Sequence, residues 1–337
     1  KSTVTLKNGA VMTCAGGLDV AADATINTDA KSLVSAKVIK GVGTIKVDAT
    51  EFSENALVIK SDMSGFAGTI EVVNNDRVSC EITSEGLVVK KTGLAGAGTE
   101  ANPYLISSVE DLILFRNSVN AGDTKYNAEG KYVALGANID LDGIDWSVNI
   151  GDDCNYTFDG TFEGNGYTIK NLPGMFIAYT GSAKSVVVKN LTLETPNVAF
   201  NVEDTPETDG VGAFIGYAGT TTTITLDNCH VKGGKIEGGH WTGGLVGYAA
   251  GYSGNDGPVF ETLTIKDCSV KNATVTGKGS CGAIIGHATG DDWTLVDMDN
   301  IVVTSNSIIS TGDSDNKAGS VMGTLGNAGQ PKTVNGV

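Results

Sequence analysis

The sequence predicts an all-β fold, a parallel β-helix (β-solenoid) carrying one capping α-helix near residues 108–120. Three observations lead there: a repeat with a period in the thirties, a large excess of glycine, and short apolar runs alternating with period two.

The repeat is clearest in the second half of the chain. Four segments share a glycine–hydrophobic–glycine pattern: Val211-Gly-Ala-Phe-Ile-Gly-Tyr217, Thr242-Gly-Gly-Leu-Val-Gly-Tyr248, Cys281-Gly-Ala-Ile-Ile-Gly-His287 and Ala318-Gly-Ser-Val-Met-Gly-Thr324. Their first glycines, Gly212, Gly243, Gly282 and Gly319, are 31, 39 and 37 residues apart. Between them lie alternating apolar runs over residues 186–193, 224–231, 263–270 and 298–303. Aligned on Asn190, Asn228, Asp267 and Asn300, these runs place Leu191, Cys229, Cys268 and Ile301 in one column, at spacings of 38, 39 and 33 residues.

A period of that size, built from strands and holding no amphipathic helix, excludes helical repeats and makes each period one coil of a solenoid. Successive coils then stack at the strand spacing of about 4.8 Å, with equivalent residues in ladders. The 46 glycines against 6 prolines fit that geometry. Coils bend sharply and stack closely, where a Cβ would often clash.

A shorter rhythm marks the first third. Gly43-Thr-Ile-Lys-Val47 and Gly68-Thr-Ile-Glu-Val72 lie 25 residues apart, and Val38-Ile-Lys40 and Val58-Ile-Lys60 lie 20 apart. Residues 1–92 therefore read as a solenoid-like region with coils of another size. The small-residue stretch Gly93-Leu-Ala-Gly-Ala-Gly98 is a boundary signal, so residues 93–337 form the second region.

The second region opens with the helix. Ser107 and Glu110 have the spacing of a capping box, Val109, Leu112, Ile113 and Val119 share a face, and Asn120-Ala-Gly122 ends the run. An open solenoid end exposes apolar core, so this helix reads as a cap.

Composition narrows the function. With 39 acidic against 23 basic residues, a net charge of −16 repels phosphate backbones and anionic bilayers. Nucleic acid is excluded as a partner. No apolar run is long enough to insert in a membrane, and the chain opens at Lys1 without an initiator Met or signal h-region, as a processed export product would.

The cysteines Cys14, Cys80, Cys154, Cys229, Cys268 and Cys281 show no CxxC spacing and no neighbouring histidine pair, so they read as small buried apolar residues rather than zinc ligands. Cys229 and Cys268 on adjacent coils suit a thiol ladder better than a bond, because their Cβ vectors run parallel.

Over residues 98–337 the chain resembles bacterial surface proteins with GLUG repeats. The resemblance rests on Gly98-Thr-Glu-Ala-Asn-Pro-Tyr-Leu-Ile106 with the helix after it, Gly136-Ala-Asn-Ile-Asp-Leu141, Phe158-Asp-Gly-Thr-Phe-Glu-Gly-Asn-Gly-Tyr-Thr-Ile169 and Gly243-Gly-Leu-Val-Gly-Tyr248. It implies a right-handed parallel β-helix, adhesin-like, exported to the surface of a Gram-negative bacterium and without catalytic residues. His287 and Thr324 depart from it by replacing the motif tyrosine. Before residue 93, Ser64-Gly-Phe-Ala-Gly-Thr-Ile-Glu-Val72 resembles autotransporter passenger coils.

Parallel β-helices also house polysaccharide lyases and hydrolases, so residues decide the matter. Paired carboxylates suited to glycoside hydrolysis occur at Asp152-Asp153 and Asp291-Asp292. Asn27-Thr-Asp29, Gly151-Asp-Asp153 and Gly286-His287 look like a polygalacturonase pattern, but are spread 124 and 134 residues apart. A lyase base beside calcium would have to be lysine or one of the arginines, Arg77 and Arg116. These features favour binding over catalysis.

The candidate ligand site is aromatic and polar: His240, Trp241, Tyr217, Tyr248, Asp291, Asp292 and Trp293, the kind of set that presents ring faces to a sugar. The competing reading is that these rings only seal coil edges, with Tyr217, Tyr248 and His287 as a stacked corner ladder. No cofactor is expected. Asp140, Asp142 and Asp145 around Gly143 resemble half of a calcium loop, lacking the further acidic ligand. The expected role is an extracellular adhesin-like or glycan-contacting surface protein whose partner is a host or bacterial glycan or surface protein, with a polysaccharide-active enzyme or a passive stalk as alternatives.

Overall fold

The computed structural model describes residues 2–52, 55–152, 155–181, 185–199, 210–219, 223–251, 262–290, 295–311 and 317–325. The chain divides into two compact units, Lys1–Leu94 and Ala95–Val337.

The C-terminal unit is a parallel β-helix. One full coil runs through five strands, Thr223–Asp227, His230–Lys232, Lys235–Glu237, Trp241–Gly243 and Val246–Gly251. Each pairs in parallel with its counterpart one coil on, the strands Thr262–Lys266, Ser269–Lys271, Thr274–Gly277, Ser280–Gly282 and Ile285–Gly290. The result is five parallel sheets, of which the largest holds seven strands from Tyr104–Ile106 to Leu295–Asp299.

Register follows the alternating pattern. Val188, Leu226, Ile265 and Met298 pair directly across four coils, and all four are fully buried. With a period-two strand, a slip of one residue would turn that whole set outward. The next column behaves likewise: Leu191, Cys229 and Cys268 are buried and Ile301 is half-buried.

The corners explain why the alignment on asparagine works. Asn190, Asn228, Asp267 and Asn300 sit at φ 55°, 53°, 53° and 52°, the left-handed region that Asn and Asp enter most easily among side-chain-bearing residues. Their side chains link the coils. Asn190 donates to Glu163 at 3.0 Å, Asn228 to Asn190 at 2.9 Å, and Asn300 to Asp267 at 2.6 Å. A second left-handed column follows one short strand later, at Asn171, Thr195, Gly233, Asn272 and Ser305.

Helix Val109–Asn120 packs Leu112, Phe115 and Val119 into the core of this unit, with Phe115 6.1 Å from both Phe158 and Phe162. Phe115 is a core residue absent from the face expected from sequence, while Val109 and Ile113 are only half-buried. The cap is also displaced by one residue. Ser108, not Ser107, is the N-cap, accepting from Asp111 N–H at 3.2 Å, and the Asp111 carboxylate accepts from Ser107 N–H at 3.0 Å. Strand pairing delays the helix start, because Ile106 still holds Gly136 N–H in the sheet ladder at 2.8 Å.

The N-terminal unit has one parallel and one mixed sheet. One orders Thr3–Thr5, Thr25–Asp29, Thr44–Asp48 and Thr69–Val73, and the other begins Val11–Val20, Leu33–Gly41, Leu57–Asp62. Between them lies a core containing Val34, Ile39, Ile45, Val47 and Ile59.

The repeated Gly-Thr-Ile motif aligns as expected, with Thr44 opposite Thr69 and Ile45 opposite Ile70. The other short repeat does not. Val34 pairs Ile59 and Ser35 pairs Lys60, whereas Val38 faces Asp62, because a register shift between Ser35 and Val38 breaks the simple spacing. A feature with no solenoid counterpart ends the unit: Gly86–Lys91 runs antiparallel to Leu57–Asp62, and Val78–Thr83 antiparallel to Gly86–Lys91.

Candidate functional site

The site is built on the sheet that carries the last strand of each coil. There Tyr179, Tyr217, Tyr248, His287 and Thr324 stand opposite one another on successive strands, in strict register. Alternation makes the column point outward, since the flanking Ala218, Ala249 and Ala288 are buried while the four rings are half-buried. Ring centroids are 5.8 Å apart between Tyr179 and Tyr217, 5.2 Å between Tyr217 and Tyr248, and 5.6 Å between Tyr248 and His287.

Trp241 adds a second layer. It opens the strand Trp241–Gly243, stacks on Tyr248 with centroids 4.1 Å apart at 22°, and lies 5.3 Å from His287. Neighbouring coils carry Gly210, Ser280 and Lys317 at the same position. Ser280 meets Thr324 through hydroxyls 2.6 Å apart, so the wide ring of Trp241 belongs to one coil only. Burial, with Tyr217 beside it, pushes the Tyr248 phenol up to about 12. It therefore stays protonated as a hydrogen-bonding group at any physiological pH.

The structure thus brings Tyr217, Tyr248 and Trp241 together, and places exposed His240 6.3 Å from Trp241. The column runs along a sheet rather than at a corner, and Trp241 is a strand residue. Asp291, Asp292 and Trp293 lie outside the described residues. Tyr179 was not anticipated. Its segment, Gly174-Met-Phe-Ile-Ala-Tyr179, has the motif with Ala178 in place of the second glycine, and that substitution hid the first rung.

A second cluster also escaped the sequence reading. His230 bridges Ser269 and Asn228, at 2.9 Å from each ring nitrogen, over a polar groove of about 550 Å³ that Lys271 and Asp267 also line. Burial, with Lys232 and Lys271 nearby, holds its imidazole below the ordinary histidine range. His230 ties the asparagine corner to the adjoining sheet, since Ser269 belongs to the next coil.

Two of the three carboxylates considered for calcium, Asp140 and Asp145, act as local acceptors. Asp140 accepts from Asn171 at 2.8 Å and from Asp142 N–H at 3.1 Å, and Asp145 accepts from Ser147 N–H at 2.9 Å. These bonds hold both acids below the usual carboxylate range, led by Asn171 for Asp140 and Ser147 for Asp145. Among the described residues no three His, Cys, Asp or Glu side chains converge as for a metal ion.

Of the residues weighed for catalysis, Asp29 belongs to the N-terminal unit, where it accepts from Asn8 and Lys31 N–H. Asp152 is held by Asn149, and Asp153 lies outside the described residues. Arg116 lies over the Trp146 ring at 4.8 Å and donates to Asp145 O, so it fastens the helix. Arg77 is 4.0 Å from Asp76.

Cys229 and Cys268 are free thiols, with Cys229 N–H directed at Cys268 Sγ at 3.4 Å. Burial, then the neighbouring Cys268, raises the Cys229 thiol well above its ordinary value. The unfolded chain ionises near pH ~8.5 a thiol that the fold keeps protonated, so this contribution to stability is complete below that pH and is lost as pH rises. We predict that thiol reagents at pH 8 modify Cys229 only after denaturation, measured by mass spectrometry. Modification in the folded protein would show the column to be open.

No family model matches the chain. Over 226 residues, 61% of its length, it is 29% identical to halomucin of Haloquadratum walsbyi, of whose length it spans 2%. The crystal structure of a candidate immunoglobulin A1 protease from Bacteroides ovatus aligns with 71% of this chain and 66% of that one, at a TM-score of 0.48 and 21% identity.

Proposed function

We propose that the C-terminal unit is a GLUG-type surface module that contacts glycans extracellularly through its aromatic column. One observation carries this reading: four half-buried rings, Tyr179, Tyr217, Tyr248 and His287, stand in register on one outward sheet face with Trp241 stacked beside them. Aromatic faces with a polar edge bind the apolar faces of sugars while their hydroxyl and imidazole groups take hydrogen bonds. The likeness to halomucin fits an exported, surface-associated role, and the net charge of −16 fits a partner other than nucleic acid.

A glycan array tests the proposal. Binding of at least one neutral glycan is expected, and Trp241→Ala should weaken it by roughly tenfold through loss of a stacking face. Unchanged binding by that variant would remove the column as the site. No binding to any glycan would leave a passive stalk as the role.

A further inference from the structure

Resting on the glycan-contacting reading, we propose that the ligand is an extended linear polysaccharide, neutral and β-linked, lying parallel to the solenoid axis with one sugar per coil. The rungs set this. A pocket for a terminal sugar would gather its polar and aromatic groups around one point, whereas here the equivalent residue of each successive coil repeats the same contact.

Spacing selects the polymer. The rings follow one another at 5.8, 5.2 and 5.6 Å. Successive coils rise by about 4.8 Å, close to the step that each sugar of an extended β-1,4-linked chain makes along its axis, so over a few rungs each pyranose stays beside its own. Coiled α-linked chains do not keep that step. Running the chain across the coils instead would move it off the column within one sugar.

The first three rungs are tyrosines and the fourth is His287, a smaller ring that Trp241 supplements at 5.3 Å. Thr324, the fifth position, has no ring and is tied to Ser280. Among the described residues the column therefore spans four coils, with Trp241 lying over Tyr248 as the outer ring at the third rung. Charge selects further: a field of −16 opposes uronic and sulfated chains.

The test is a length series of β-1,4-linked glucose, mannose and N-acetylglucosamine oligomers, from monomer to hexamer, titrated calorimetrically against the full chain. Affinity should rise roughly three- to tenfold with each added sugar up to the tetramer and then level off. Tyr179→Ala, at the end of the column, should shorten the plateau to the trimer, with its fold checked by circular dichroism. Binding that does not depend on length, or equal binding of α-linked oligomers, overturns the axial register while leaving glycan contact intact. Absence of binding to every oligomer and every arrayed glycan overturns both.

Discussion

Replacing Gly243 by alanine is expected to destabilise the C-terminal β-helix by about 3 kcal/mol or more, the upper range for forcing an atom into a packed interior. A Cβ at Gly243 would lie 1.9 Å from Val246 O and 2.7 Å from Gly286 N, both backbone atoms that cannot swing aside. The two motif glycines of neighbouring coils meet here. Strand Trp241–Gly243 packs its backbone against the last strands of its own coil and the next, and the space between holds no side chain. At roughly 2–4 °C per kcal/mol, the melting temperature should fall by about 6–12 °C. Gly16→Ala is the control, because its added Cβ meets nothing within 4 Å. A Gly243 variant that melts with the wild type would mean that the motif serves something other than close stacking.

Phe162→Ala is expected to cost about 3–5 kcal/mol, the range for deleting a buried aromatic. Phe162 is fully buried, 4.8 Å edge-to-face from Phe176 and 6.1 Å from Phe115 of the capping helix. It joins the cap to the first coils, so its loss removes aromatic contacts in two directions as well as leaving a cavity. Denaturant unfolding followed by circular dichroism measures the loss. A change below about 1 kcal/mol would show that the helix lies on the coils without depending on this cluster.

The architecture was legible because a solenoid writes itself into the chain many times. One coil's pattern is weak, but Gly212, Gly243, Gly282 and Gly319 repeat a requirement that backbone proximity imposes at every turn. The asparagine column repeats another, the left-handed corner. Where the period broke, legibility failed. The shift between Ser35 and Val38 misaligned the short N-terminal repeat, and the antiparallel strand Gly86–Lys91 had no sequence period to announce it.

The candidate site was partly visible for the same reason. Tyr217, Tyr248 and His287 follow the glycine motif, so their alignment could be read directly, whereas Ala178 concealed Tyr179. Trp241 was recognisable as an aromatic near the motif, but its seat on Tyr248 was not. That contact joins two strands of one coil across the turn at residues 244 and 245.

The sequence alone thus determined the coil, its period and its buried column, because each is a local demand on backbone or burial repeated at fixed spacing, whereas the corners fell at the asparagine column and not at the aromatic one. Only the tertiary structure decided which outward residues touch. The Ser108–Asp111 cap, Phe115 in the aromatic core, and His230 between Asn228 and Ser269 depend on where neighbouring coils and sheets meet. Those meetings are set by strand register and packing across space, which no single coil encodes.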